Sequence, residues 1–372
     1  MSKTARSIIN KGQKKRKTIN REWYSLRSLL GNDWAIFYLL LGGREAGKSY
    51  ATTEFFVRQF ELYGRPFYWL RLTEASQRKL LNNNAEKLID PDIRREWNLE
   101  LETNGDSVYK VIRWDEEQEQ KDGTVKIIEH KKLKFMCRVM ALSTFYNDKG
   151  SGLFDKDFLN DPNMYYNICL DEMNREKNEK KSFDIVYAFT NQLENLVRST
   201  KQRLRVICIG NTLEEASDIL CSFNYIPESF GRFKLRKKRC VIDYIEPSDK
   251  YLERRKGTIA DILMPTASTF TNSIDTDDTL IYSGRLSKPT AVIKFAKDKD
   301  KWFTLWDDKV IAKYNNEHVQ TLAMRPYLDD LYNVEIQKTI ITRFDCRQFC
   351  YKNLITFKLF QKELTLLKPR KS

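Results

Sequence analysis

Three apolar runs organise the first two thirds of the chain, and each ends on glycines or polar residues. Ile36-Phe37-Tyr38-Leu39-Leu40-Leu41 leads into Gly42-Gly43, and Tyr165-Tyr166-Asn167-Ile168-Cys169-Leu170 leads into Asp171-Glu172. Arg205-Val206-Ile207-Cys208-Ile209-Gly210 leads into Asn211-Thr212. Runs that do not alternate with polar residues predict strands covered on both faces, as in a mostly parallel sheet. Arg65-Pro66-Phe67-Tyr68-Trp69-Leu70-Arg71 predicts a fourth core strand. A first helix is expected around Arg21 to Leu30, one from Tyr50, and a polar one around Glu74 to Ile89. Between these and the second run the pattern turns β-rich, over Ser107–Trp114, Thr124–Glu129 and Lys132–Leu142, with a turn at Asp122-Gly123. Phe233 to Arg239 begins an edge strand that continues through Tyr244. Further on, strands are expected near Leu280–Tyr282, Thr290–Phe295, Trp302–Trp306 and Val310–Tyr314, and helices around Tyr327–Tyr332 and Cys346–Leu366.

The junction after the first run carries the most specific chemistry. Gly42-Gly43-Arg44-Glu45-Ala46-Gly47-Lys48-Ser49 reads G-x-x-x-x-G-K-S, with a strand before it and helical spacing from Tyr50 after it. Glycines let backbone N–H groups curl around phosphates, Lys48 reaches the β and γ oxygens, and the Ser49 hydroxyl offers Mg²⁺ a ligand. The helix that follows points its positive end at the same phosphates. The pattern therefore predicts a nucleoside triphosphate site with Mg²⁺.

The second and third runs supply what hydrolysis needs. Asp171 is placed to hold the metal, and Glu172 to orient and deprotonate the attacking water. Such a second acid is usual in ATPases with a strand inserted between the P-loop strand and the acidic strand. Asn211, ending the neighbouring strand, is a candidate γ-phosphate sensor, with an ordinary turn role as the plainer alternative. Before it, Arg198, Lys201, Arg203 and Arg205 place four cations in eight residues. A solvated surface explains most runs of this kind. In ring ATPases, however, this edge meets the neighbour's nucleotide, where an arginine acting in trans accelerates hydrolysis by about 10³–10⁵.

Gly42 to Tyr50 (GGREAGKSY), Asn167 to Met173 (NICLDEM) and Arg198 to Thr212 (RSTKQRLRVICIGNT) together resemble the genome-packaging ATPases of small tailed phages of the phi29 type. Arg44, at the third P-loop position, matches that family and the related terminases. The resemblance covers residues 30 to 245 well and the rest more loosely. It implies an ATP-hydrolysing ring, a pentamer, that moves double-stranded DNA into a procapsid and docks on a portal, with a structural RNA as a further candidate partner. It implies Arg198 as the trans-acting arginine, with Lys201 and Arg203 as alternatives in the same run. It also implies that the polar, glycine-rich stretch Ser143 to Gly152 faces the channel, with Lys149 gripping the DNA backbone. By itself that stretch reads as a mobile loop.

Composition adjusts this picture at the ends. The chain has 372 residues, enough for two domains, and 41% apolar residues support a real core. Residues 1–27 hold nine Lys or Arg against one Glu, more than half of the net +14. Such an arm binds phosphates without reading bases, or simply aids solubility. No run of 18 uncharged apolar residues exists, so no membrane partner is expected. The seven cysteines form no evident framework and point to a reducing cytoplasm, here that of the phage's host. With only His130 and His318 and no Cys-x-x-Cys pair, a structural zinc is not expected.

The expected organisation is a basic arm and first helix over 1–30, an α/β P-loop ATPase domain over 31–246 and a linker segment over 247–278. A small α+β domain over 279–372 follows. Larger packaging motors carry a ribonuclease-H-like nuclease there, whose chemistry gathers several carboxylates around two metals. Leu280–Tyr282 and Ala291–Phe295 have no acid in the strand body, so a degenerate fold without cleavage is expected. Arg285, Lys294, Lys297, Lys299 and Lys301 are read as a basic face of that domain. Two other functions compete with this one: a cellular or conjugative DNA pump, which shares all three motifs, and a scaffold protein that binds ATP and DNA without turnover, against which Glu172 argues.

Overall fold

A computed structural model describes residues 23–119, 125–144, 165–174, 183–197, 203–211, 217–227, 229–263, 280–287, 289–315, 324–327 and 334–367. The chain forms two compact units, Met1–Thr212 with Pro227–Ser273, and Leu213–Ile226 with Ile274–Ser372.

The first unit is built on a nine-stranded sheet. Its strands are β1 (Phe37–Gly42), β2 (Phe67–Arg71), β3 (Leu101–Asn104), β4 (Ser107–Glu119), β5 (Val125–Ala141), β6 (Tyr165–Asp171), β7 (Arg203–Asn211), β8 (Gly231–Leu235) and β9 (Cys240–Tyr244). They lie in the order β3-β4-β5-β2-β6-β7-β1-β9-β8. The six from β5 to β9 are parallel to their neighbours, and antiparallel hairpins close both edges. The apolar runs occupy the middle, where both faces are covered, which is why they do not alternate. β7 lies between β1 and β6, the inserted position that the second acid of the Asp171-Glu172 pair suggested.

Register then aligns the functional ends. Gly42 of β1 pairs with Asn211 of β7, Asp171 of β6 pairs with Ile209, and Leu70 beside Arg71 pairs with Leu170. Helix α1 (Lys48–Tyr63) starts beyond the carboxyl end of β1. Phe56, Val57 and Phe60 on its inner face pack with Leu40, Trp69, Cys169 and Ile207. Burying each phenylalanine contributes roughly 1.5–3 kcal/mol, so the helix start is held rigidly over the strand ends.

Several local expectations change. The polar helix expected through Ile89 gives way at Asn82-Asn83-Asn84, which leave helical geometry, the last two at φ +51° and +54°. Asparagine tolerates that region because its side chain bonds locally. The β-rich stretch forms one long hairpin of β4 and β5. The strand expected from Phe233 to Tyr244 is instead a tight hairpin, β8 and β9, folded at Arg236–Lys238. That turn is all cationic and stays exposed, so the chain reverses there.

In the second unit the sheet order is β13-β10-β11-β12-β14, with β10 (Pro289–Lys294), β11 (Trp302–Trp306), β12 (Val310–Lys313), β13 (Met324–Tyr327) and β14 (Cys350–Tyr351). β10, β11 and β12 are antiparallel, β13 is parallel to β10, and β14 is parallel to β12. Tyr327, expected to open a helix, ends a strand. The helix expected over Cys346–Leu366 divides: Val334–Asp345 precedes it, β14 interrupts, and Leu354–Leu367 follows. Phe349 and Tyr351 must enter the core at strand spacing, and Asn353 restarts the helix by accepting from the Thr356 N–H at 2.8 Å. Lys294 does not belong to a basic face. It is buried, its ammonium 4.8 Å from the Trp302 ring centroid.

Candidate nucleotide site

The loop joining β1 to α1 is fixed from outside. The Tyr251 hydroxyl donates to the Arg44 carbonyl at 2.9 Å, Arg254 to the Glu45 carbonyl at 2.6 Å, and the Tyr24 N–H to the Ala46 carbonyl at 2.9 Å. Three consecutive carbonyls of the loop are thus engaged by groups outside it, the arrangement in which peptide N–H groups can serve an anion as a nest. Glu45 and Gly47 adopt φ +61° and +85°, the reversals that close such a nest. A side chain at Gly47 would be strained, and its Cβ would meet Trp23 Cε3 at 3.2 Å.

Lys48 folds back across this loop. Its ammonium donates to the carbonyls of Gly42 at 2.8 Å and Gly43 at 2.6 Å, and Asn211 Oδ1 lies 3.5 Å away. The residue is only 5% exposed, and burial pushes its pKa down to about 8, against the opposing pull of Asp171. A bound polyphosphate favours the ammonium and raises that pKa. Between the two values the complex holds one proton more than the free protein, so affinity falls as pH rises. Nucleotide affinity is therefore expected to be flat below pH 7 and to weaken above pH 8 by up to about tenfold per unit. Calorimetric titration across pH 6.5–9.5 checks this.

The carboxylates lie opposite. Ser49 Oγ donates to Asp171 Oδ1 at 3.3 Å, and the Glu172 N–H reaches the same oxygen at 3.1 Å. Arg71, ending β2, bonds Asp171 Oδ2 at 2.6 Å and Glu172 Oε2 at 2.7 Å. Glu172 sits at φ +58°, the first residue past β6, with its side chain 54% exposed and pointing to that guanidinium. Behind it, Met173 N–H bonds the Ile209 carbonyl, and Asn174 reaches the Asn211 carbonyl at 3.5 Å. Gly210 makes room for this turn, since a Cβ there would meet Asn174 Nδ2 at 2.6 Å. Among the described residues no three of His, Cys, Asp and Glu converge as a metal cage. Ser49 Oγ and Asp171 Oδ1 form a hard-oxygen pair, which suits a Mg²⁺ that takes its remaining ligands from phosphate and water.

Thus Gly42 to Ser49, Asp171, Glu172 and Asn211 meet at the carboxyl ends of the interior strands β1, β6 and β7, with Tyr50 on the first turn of α1. Lys149, Arg198 and Lys201 lie outside the described residues. Arg203 opens β7, at the end opposite Asn211. Arg205 is taken up internally, over the Tyr165 ring at 4.3 Å and bonded to Asn167 at 3.0 Å. Sequence reasoning missed Arg71, although it ends an apolar strand just as Asp171 and Asn211 end theirs. The helix expected within the linker segment around Glu253–Lys256 is present as Asp249–Arg255, but sequence reasoning did not foresee that it supplies Tyr251 and Arg254 to the loop.

No protein-family model matches the chain. The DNA packaging proteins of Bacillus phages PZA and phi29 are each 24% identical to it over 241 residues, covering 63% of this chain and 59% of the relative. The matched region thus spans under two thirds of these curated relatives. Two solved structures share the fold. The Phi-28 gp11 DNA packaging motor superposes with a TM-score of 0.61 at 14% identity, over 95% of this chain and 100% of that one. The bacteriophage Phi-29 viral genome packaging motor assembly gives 0.60 at 19%, over 92% and 100%. The chain resembles the packaging proteins of phi29-type phages in both sequence and fold.

Proposed function

We propose that this chain is an ATP-driven subunit of a viral genome-packaging motor, which moves double-stranded DNA into a procapsid as part of a ring of its own copies. The observation that carries the reading is the convergence of Lys48, Ser49, Asp171, Glu172 and Asn211 at the ends of three adjacent strands, with β7 inserted between β1 and β6. Lys48 and the loop N–H groups hold the phosphates, and Asn211 lies where it can register the terminal one. Ser49 and Asp171 would hold Mg²⁺, which when bound neutralises charge on the phosphates. Glu172 takes a proton from the attacking water, and ADP and phosphate leave. A scaffold that binds without turnover has no use for an acid placed as Glu172 is.

Arg198 would complete the neighbour's site in trans, with Lys201 and Arg203 as its alternatives, and Lys149 would contact DNA phosphates. Contacts of that kind do not read bases, so packaging would be nearly independent of sequence. The basic arm would bind a polyanion: DNA, a structural RNA or an acidic portal surface. The place of work would be the host cell cytoplasm; no described helix is long and apolar enough to cross a membrane. We read the ATPase domain as 31–246 after the arm, and the linker as 247–278. The domain from 279 is read as a degenerate ribonuclease-H-like fold, supported by three antiparallel strands with a fourth parallel to the first. β14, beside β12, departs from that order. Asp307 and Asp308, at φ +50° and +55°, lie in the turn between β11 and β12.

Mixing inactive subunits tests the shared site. Arg198→Ala and Glu172→Gln proteins are each expected to be nearly inactive with DNA and a ring-promoting partner. Mixed, they should recover activity, because some interfaces then pair an intact Glu172 with an intact Arg198. No recovery from proven mixed rings would place Arg198 outside the neighbour's site.

A further inference from the structure

The sheet order gives the phosphate loop two unlike flanks. On one side of β1 lie β7 and β6, ending in Asn211 and Asp171-Glu172; on the other lies β9. A nucleotide whose terminal phosphate faced those acids would leave its sugar and base on the side away from them, where the β9 flank offers a surface. The chain converges there from both ends of the first unit. Tyr24 bonds Asp243 of β9 through its hydroxyl at 2.7 Å, while its N–H holds the Ala46 carbonyl. Trp23 lies against Gly47, and the Arg254 guanidinium covers its ring at 3.7 Å from the centroid. Arg254 is itself anchored on the Glu45 carbonyl.

Trp23 is nevertheless 51% exposed. A tryptophan so placed is held at its rim by the loop and on one face by a cation, while about half of its surface is open to solvent. Fixing an aromatic plane before a ligand arrives removes the ordering cost that a mobile side chain would bring. The Arg254 charge also complements the electron-rich indole face.

We propose that Trp23 is the nucleobase platform of this site: the base stacks on the indole, completing a base–indole–guanidinium stack with Arg254. This rests on the reading of the loop as a nucleotide-phosphate site. The ligand class is a nucleotide whose ring system can lie flat on the indole, and inorganic phosphates gain nothing from it.

The test compares ADP with pyrophosphate, each with Mg²⁺, by titration calorimetry on the full chain. Trp23→Leu keeps an apolar side chain against Gly47 but removes the aromatic face. It should weaken ADP roughly tenfold, a typical effect for losing one base–aromatic stack. Pyrophosphate affinity should stay within about twofold, and Trp23→Phe should recover most of the ADP affinity, since a smaller ring still offers a face. Equal loss for both ligands would mean that Trp23 only props the loop, and no loss for either would mean that the base lies elsewhere. Both results overturn the proposal alone. Wild-type protein that binds neither ligand would overturn the phosphate-site reading together with it.

Discussion

Replacing Glu172 with Gln is expected to lower DNA-stimulated ATP turnover by about 10²–10⁴-fold, the range for removing a general base, while nucleotide affinity stays nearly unchanged. Glu172 lies past the end of β6, half exposed, and its ion pair is with Arg71 rather than with any group of the phosphate loop. The amide can keep a hydrogen bond to that guanidinium but cannot accept the water's proton at neutral pH. Lys48, Ser49 and Asp171, which hold phosphate and metal in this reading, are untouched. Loss confined to turnover, with binding retained, is the signature of an interaction made in the transition state. Phosphate release and calorimetry on the same preparation check both halves. Turnover above about one tenth of wild type would assign the proton to another base.

The candidate site residues were legible because each lies at a local sequence signal. The P-loop, the Asp171-Glu172 pair and Asn211 each close an apolar run, and a run covered on both faces declares itself in sequence. What joins them was not legible. Arg71 meets Asp171 across 100 positions, and only the register of β2 on β6 brings the two ends together. Trp23 and Arg254 are farther apart still, and nothing periodic marks either. In the second unit the helix expected through Cys346 failed for a different reason. Phe349 and Tyr351 are spaced for a strand, but two residues are too few for periodicity to register beside helix-forming sequence.

Arg71→Ala should have its largest effect on stability, and a Mg²⁺-bound nucleotide should largely repair it. The Arg71 and Asp171 side chains are mostly buried, and one guanidinium serves two adjacent carboxylates. Removing it leaves Asp171 with its backbone and Ser49 contacts and only the Lys48 ammonium as a counter-charge, beside a second acid. Breaking a buried pair from one side typically costs about 3–5 kcal/mol, and the exposure of Glu172 moves the estimate toward the lower end. For a unit of this size that is a fall of roughly 6–12 °C in melting temperature. A divalent cation held by Ser49 and Asp171 would supply positive charge to the same carboxylates. Adding MgADP should then raise the variant's melting temperature by more than it raises that of wild type. Thermal melts with EDTA, with ADP and with MgADP separate these contributions. An equal rise in both proteins would mean that Arg71 acts by packing β2 on β6, not by balancing the charge that the metal also meets.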